Sequence, residues 1–163
     1  MKPGKDSDFF AILAALNRHG VEYIVVGGIG AIIQGAPIST LDLDVVHQRD
    51  ADNITHLINA LEEIHARYRL KPGISPAATH LVGPGHQLLI TDGGPLDVLG
   101  SIGHGWDFQR LLPYCRIVTL DDVGPVRVLE LGKLIEVKEE TATDKDRAVL
   151  PILKQTLRNQ GAT

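Results

Sequence analysis

The strongest constraint on this chain is an apolar run, Tyr23 to Val26, that stops at Gly27-Gly28 and is followed by Thr40-Leu41-Asp42-Leu43-Asp44-Val45-Val46. Glu22 to Val26 is almost continuously apolar, the pattern of a strand buried on both faces. The glycine pair reads as a turn into a short helical segment, Ile29 to Gln34. The second stretch alternates. Side chains on a strand point to opposite faces with period two, so Asp42 and Asp44 are expected on one face, with Leu41, Leu43 and Val45 on the other. Strand, glycine turn, helix and strand in this order define an α/β chain.

The same residues carry chemistry. Paired carboxylates on a stiff strand suit hard divalent cations, and Mg²⁺ commonly takes one or two carboxylates together with phosphate oxygens. Backbone N–H groups at a helix start attract phosphate, and glycine lets a ligand approach closely. Either element alone also fits a solvated strand or a plain turn. Their order and spacing favour a triphosphate site. A dinucleotide-binding reading fits worse, because Ile33 stands where the third glycine of that fingerprint belongs and Asp50 and Asp52 open the next helix. A phosphate-loop reading fails, since Gly132-Lys133 is followed by Leu134 and lacks the upstream glycine.

Gly27-Gly28, a short helix, then Thr40-x-Asp42-x-Asp44 resembles the nucleotidyltransferase fold of the DNA polymerase β type, and most of all its minimal nucleotidyltransferases and AbiEii-like toxin–antitoxin proteins. The resemblance covers roughly residues 20 to 155. It implies an α/β (α+β) fold with a mixed, twisted sheet flanked by helices, and a third acidic residue on a later strand, which Asp97 in Pro95-Leu96-Asp97-Val98-Leu99 supplies. It further likens Lys138 through Lys145-Asp146 to the Lys…Lys-Asp pattern in the last helices of AbiEii-like proteins. Many relatives carry basic residues just before and within the acidic strand, where this chain has Ile38 and Leu41 while keeping Thr40.

The implied activity is transfer of a nucleoside monophosphate from an NTP to an acceptor hydroxyl on tRNA, protein or a small molecule. Asp42, Asp44 and Asp97 would be catalytic and hold Mg²⁺ or Mn²⁺, and Asp97 would also take the acceptor's proton. Gly27, Gly28, Thr40, Lys138 and Lys145 would bind the nucleotide. Cognate toxin or antitoxin proteins are the other implied partners. Ordinary helix-surface roles remain open for both lysines. The missing basic groups at Ile38 and Leu41 motivate a second reading, a catalytically idle binding partner with the same fold.

Composition bounds these readings. A chain of 163 residues that is 44% hydrophobic and 4% aromatic has the length of one domain with an aliphatic core. The expected layout is a single domain over 1–163, with its core at about 20–120 and terminal helices at about 130–159. A net charge of −4 gives no bulk basic signature for nucleic acid. Cys115 is the only cysteine, which excludes an internal disulfide or multi-cysteine zinc site and fits a half-buried core position. Asp6 and Asp8 interrupt the lysine-bearing start, so no signal peptide is expected. The apolar stretch from Tyr23 to Ile33 is too short to span a bilayer. A cytoplasmic setting without membrane association is expected.

Further elements follow from pattern. Ser7-Asp8 caps a helix whose core positions are Phe9, Ile12, Leu13 and Leu16, and Gly20 ends it. Asp50 or Asp52 caps a helix from about Ala51 to His65, with Ile54, Leu57, Ile58 and Leu61 inward. Arg67, Arg69 and Lys71 alternate around Tyr68 and Leu70. They read first as a solvated strand edge and second as a cationic edge for triphosphate or nucleic acid. Thr79–Val82 and His86–Thr91 read as strands, and the Asp92–Pro95 turn returns the chain as Leu96–Leu99. Trp106 would either stack on a base or pack over the sheet, and His47 should face away from the aspartates. Arg116–Leu120 and Val126–Leu129 are extended, with Asp121-Asp122 in a turn. Helices are expected around Leu131–Lys138 and from Thr143 or Asp144 to about Asn159. The last would turn Ala148, Val149, Ile152, Leu153 and Leu157 inward, and Pro151 would kink or split it.

Overall fold

The computed structural model describes residues 7–161. The lysine-bearing start, residues 1–6, and residues 162–163 lie outside the described residues.

The chain opens with helix α1 (Phe9–Arg18), capped by the Asp8 carboxylate, which accepts from Ala11 N at 3.0 Å. Ile12, Leu13 and Leu16 are buried along its inner stripe, and Gly20 reverses the chain at φ +68°. Strand β1 (Tyr23–Val26) runs straight into α2 (Gly27–Ile33). Strand β2 (Leu43–His47) then leads to α3 (Ala51–Glu63), where Asp50 accepts from Asn53 N. The middle of the chain gives β3 (Arg67–Tyr68), α4 (Ala78–Leu81), β4 (His86–Thr91) and β5 (Gly94–Leu99). A small ribbon follows, β6 (Ser101–Ile102) with β7 (Trp106–Asp107), then α5 (Phe108–Leu111) and a 3₁₀ turn over Leu112–Tyr114. The hairpin β8 (Cys115–Leu120) and β9 (Gly124–Leu129) precedes the last helices, α6 (Leu131–Thr141) and α7 (Asp144–Gly161).

Among the described residues, seven strands form a mixed sheet in the order β3-β4-β5-β2-β1-β9-β8. β2 runs antiparallel to β1 and parallel to β5, and β1 runs parallel to β9. The expected α/β architecture with a mixed sheet and C-terminal helices is what the chain adopts. One face packs Leu43, Val45, Leu96, Val98 and Leu89 against α1 and α3. The other packs Ile24, Val26, Val46 and Leu99 against Leu131, Leu134, Ile135, Leu150 and Leu153 of the terminal helices. Aliphatic side chains at period two on the strands and at helical spacing on the covering helices account for both layers.

Several local expectations are corrected. Leu41 does not join Leu43 and Val45 in the core. It precedes the strand and is 83% exposed. Residues 78–81 form a helical turn instead of a strand, with His80 Nδ1 accepting from Ala77 N and Leu81 buried. In α7 the buried stripe is Leu150, Leu153 and Thr156, whereas Ile152 and Leu157 are exposed. The helix runs without interruption through Pro151. Asp92 pairs with His65, while the turn's backbone is served by the Thr91 hydroxyl, which accepts from Gly93 N and donates to Gly94 O. Cys115 is half-buried, as its place in an apolar strand suggests. Among the described residues, no helix is long and apolar enough to cross a membrane.

Candidate functional site

Strand register builds the site. β2 and β5 are adjacent and parallel, with Asp44 paired to Asp97 across the ladder. Register partners project on the same face of a sheet, so two carboxylates distant in sequence are forced together. Asp42, one residue before β2, completes the group: one oxygen from each of Asp42, Asp44 and Asp97 lies within 4.8 Å of the others. The turn after β1 lies against them. Val26 pairs with Asp44, and Gly27 follows at φ +70°. A Cβ at Gly27 would overlap the Asp44 carboxylate, and one at Gly28 would lie 2.7 Å from Thr40 Cβ. Glycine is required at Gly27 both by backbone conformation and by space. Thr40 Oγ1 in turn donates to Asp42 O at 3.3 Å.

The electrostatics of this cluster are unfavourable without a counter-charge. The Asp44 pKa is pushed up to about 8, first by burial, then by the charge of Asp97 and a hydrogen bond with it, and further by Asp42. Lys138 opposes the shift. Asp44 Oδ1 is buried and has no hydrogen-bond partner. Buried polar atoms nearly always find a partner, and clustered carboxylates with an orphaned oxygen are the donor set that a hard cation takes. The residues therefore fit a divalent metal ion.

The C-terminal helices close one side. Gly27, Gly28, Ala31, Ile38, Ser39, Thr40, Asp42 and Asp44 line a cleft with Lys138, Lys145, Val149 and Leu153. Lys138 Nζ lies 3.2 Å from Asp146 Oδ1, so part of its charge is committed to that pair. Lys145 is exposed at the rim. Larger surface grooves occur elsewhere, as beside Pro151 and Gln155, but among the described residues none of them contains clustered carboxylates.

The other chemistry-bearing residues have different places. His47 is buried and its Nε2 bonds Leu81 O at 2.8 Å, a structural role on the opposite side of β2. Trp106 is partly buried against the second core layer, beside α6 and Tyr114. Its Nε1 donates to Glu140 Oε1 at 2.8 Å, and Arg110 and Lys133 sit over its ring. Asp121 and Asp122 lie in the β8–β9 turn, with Asp122 at φ +63°. Arg69 departs from the reading of a solvated edge. It follows β3, and its Nη2 donates to Asp97 Oδ1 at 2.8 Å and to Leu89 O at 2.9 Å. The alternation of basic residues marks this segment in the sequence, but the contact depends on β3 and β4 pairing at the sheet edge.

No protein-family model matches the sequence, and no curated protein matches it. Solved structures do match the fold. A Thermotoga maritima protein assigned as a nucleotidyltransferase aligns with TM-score 0.56 and 18% identity over 88% of each chain. The lincosamide antibiotic adenylyltransferase LnuA, in its lincomycin-bound form, aligns with TM-score 0.60 and 17% identity over 91% of this chain and 95% of its own. ANT(2")-Ia, in complex with adenylyl-2"-tobramycin, aligns with TM-score 0.58 and 13% identity over 90% of this chain and 85% of its own. At these identities the likeness is one of fold. The chain has the architecture of nucleotidyltransferases over nearly its whole length.

Proposed function

We propose that this chain is a metal-dependent nucleotidyltransferase, moving a nucleoside monophosphate from an NTP to an acceptor hydroxyl with release of pyrophosphate. The observation that carries the reading is the convergence of Asp42, Asp44 and Asp97 within 4.8 Å, beside a diglycine turn, on a fold shared with adenylyltransferases.

Asp42 and Asp44 would hold one Mg²⁺ or Mn²⁺ ion and, with Asp97, a second. When bound, such ions stabilise the attacking and leaving oxygens of an in-line displacement. Gly27 and Gly28 leave space for a phosphate to reach the backbone N–H groups at the start of α2. Thr40 fills the space that a side chain at Gly28 would need, so it holds that position to glycine. Asp97, on the strand beside β2 and away from the turn, would accept the proton of the incoming hydroxyl. Lys138 offsets charge near Asp44, and Lys145 at the rim would meet the departing pyrophosphate. A small-molecule hydroxyl is the acceptor that the fold neighbours favour, since LnuA and ANT(2")-Ia are solved with an antibiotic and an adenylylated antibiotic. Transfer to tRNA or to a toxin–antitoxin partner protein is the variant that the sequence resemblance supports.

The test is transfer of label from α-phosphate-labelled ATP and GTP, with Mg²⁺, to separate pools of lincosamides, aminoglycosides, tRNA and the protein itself. Label should move in at least one pool and be lost in Asp42→Asn and Asp97→Asn. Equal transfer by the variants would remove the assignment.

A second reading rests on a specific observation. Leu41 is exposed beside the acidic strand where many relatives bear a basic residue, and Lys138 is already paired with Asp146. A chain so short of free cation at the triphosphate would act as a fold-retaining binding partner. Absence of nucleotide binding with intact folding would favour it.

A further inference from the structure

We infer that Arg69 is a positioning residue for Asp97, one that fixes a single carboxylate orientation beside Asp42 and Asp44. The inference rests on the nucleotidyltransferase reading and assigns this residue a part in it.

Asp97 is held from two directions. Its backbone is fixed by pairing with Asp44 on one side and Leu88 on the other. Backbone pairing leaves the carboxylate free to rotate, because terminal side-chain torsions of this kind are broad. Arg69 removes that freedom. Its Nη2 donates to Asp97 Oδ1 at 2.8 Å and to Leu89 O at 2.9 Å, so the guanidinium is itself anchored to the strand next to β5. The Arg69 backbone N also donates to Leu88 O at 3.0 Å. The side chain is 30% exposed and that of Asp97 16%, which limits competition from water. Arg69 Nε is buried without a partner. Leaving a buried donor unpaired is unfavourable.

The consequence is that one carboxylate serves two partners. Oδ1 is engaged by a permanent cation, while Asp97 still offers an oxygen within 4.8 Å of those of Asp42 and Asp44 for a shared metal ion. Among the described residues, Arg69 makes no hydrogen bond or ion pair with Asp42 or Asp44, so a site built on those two should not depend on it. Partners that orient a metal-binding carboxylate matter nearly as much as the ligand itself.

Mn²⁺ titration followed by electron paramagnetic resonance tests this on the full chain, with wild type, Arg69→Gln and Arg69→Lys. The expected result is a stronger Mn²⁺ site retained in all three proteins and a weaker site lost or weakened roughly 10- to 100-fold in Arg69→Gln. Arg69→Lys should recover part of the loss. Circular dichroism and thermal melting establish that each variant folds. A folded Arg69→Gln protein with both Mn²⁺ affinities at wild-type values would overturn the role of Arg69 alone. Uniform weakening of both sites without recovery by lysine would also overturn it, since that marks a general structural effect. No Mn²⁺ binding by the wild type would instead overturn the reading of the site, and the role of Arg69 with it.

Discussion

Gly27 and Asp44 share one volume of space: Gly27 turns the chain at φ +70° directly against the Asp44 carboxylate, where no side-chain carbon fits. The turn is thus matched to the acidic strand beside it. Gly27→Ala should cost about 1–2 kcal/mol from the left-handed backbone alone. It should also displace Asp44 and abolish metal and nucleotide binding. Urea unfolding and Mn²⁺ titration check the two effects separately.

Asp44 makes the protein's stability depend on pH in an unusual direction. Its folded pKa, about 8, lies above the ordinary carboxylate value because it is buried beside Asp97 and Asp42. A carboxyl raised in this way contributes stability that is complete below its unfolded pKa and is lost as pH rises through the folded value. Metal-free protein should therefore lose up to about 1.4 kcal/mol of stability per pH unit from this group between roughly pH 4 and 8. Asp44→Asn should flatten this dependence and melt above the wild type at pH 8, while losing metal binding. Thermal melts of both proteins across this range, with chelator present, provide the comparison.

The same shift links metal to protons. A cation binds the ionised carboxylate, so metal uptake near pH 7 should release a proton from Asp44, and near pH 9.5 it should not. Calorimetry of Mn²⁺ binding in buffers of different ionisation enthalpy measures this directly. Chelation should lower the melting temperature more at pH 8.5 than at pH 6.

Lys138 joins α6 to α7 through Asp146, at 3.2 Å, with both side chains mostly buried. Lys138→Met should cost about 1.5–3 kcal/mol, the usual worth of a charge-assisted hydrogen bond. It should also raise the Asp44 pKa further, by removing the cationic charge that opposes the shift. Movement of the pH-dependent melting profile to higher pH is the readout.

Leu41 offers a gain-of-function test. It is exposed next to Asp42, in the position where the resemblance places a basic residue. Leu41→Arg should tighten binding of the Mg²⁺–NTP complex by several-fold, roughly the 1 kcal/mol expected of an exposed charge pair, with little change in folding stability. Calorimetric titration and thermal melting of the variant beside the wild type check both halves.

Much of the fold and of the site is legible in the chain itself. Asp42 and Asp44 are brought near one another by their closeness in sequence, with Asp44 set by alternation on the face opposite Leu43 and Val45, and the Asp92–Pro95 turn returns Asp97 on a neighbouring strand. What alternation cannot supply is strand order, and it is the parallel pairing of β2 with β5 that brings Asp97 opposite Asp44. Alternation misplaces Leu41 because the strand starts at Leu43, and the period has no force before it. Residues 78–81 escape a pattern reading because a short apolar run carries no period long enough to separate strand from helical turn. In α7, Pro151 obscures the phase of the buried stripe, which runs through Leu150, Leu153 and Thr156. Arg69 gives only a weak signal, since its partner lies across two strand pairings.

Calorimetric titration of Mg²⁺–ATP and Mg²⁺–GTP into wild type, Asp44→Asn and Asp97→Asn reports most directly on the carboxylate cluster. Saturable binding of at least one nucleotide by the wild type, absent in Asp44→Asn and weakened in Asp97→Asn, is the expected result. Binding of equal strength in all three folded proteins, or none in the wild type, would contradict it.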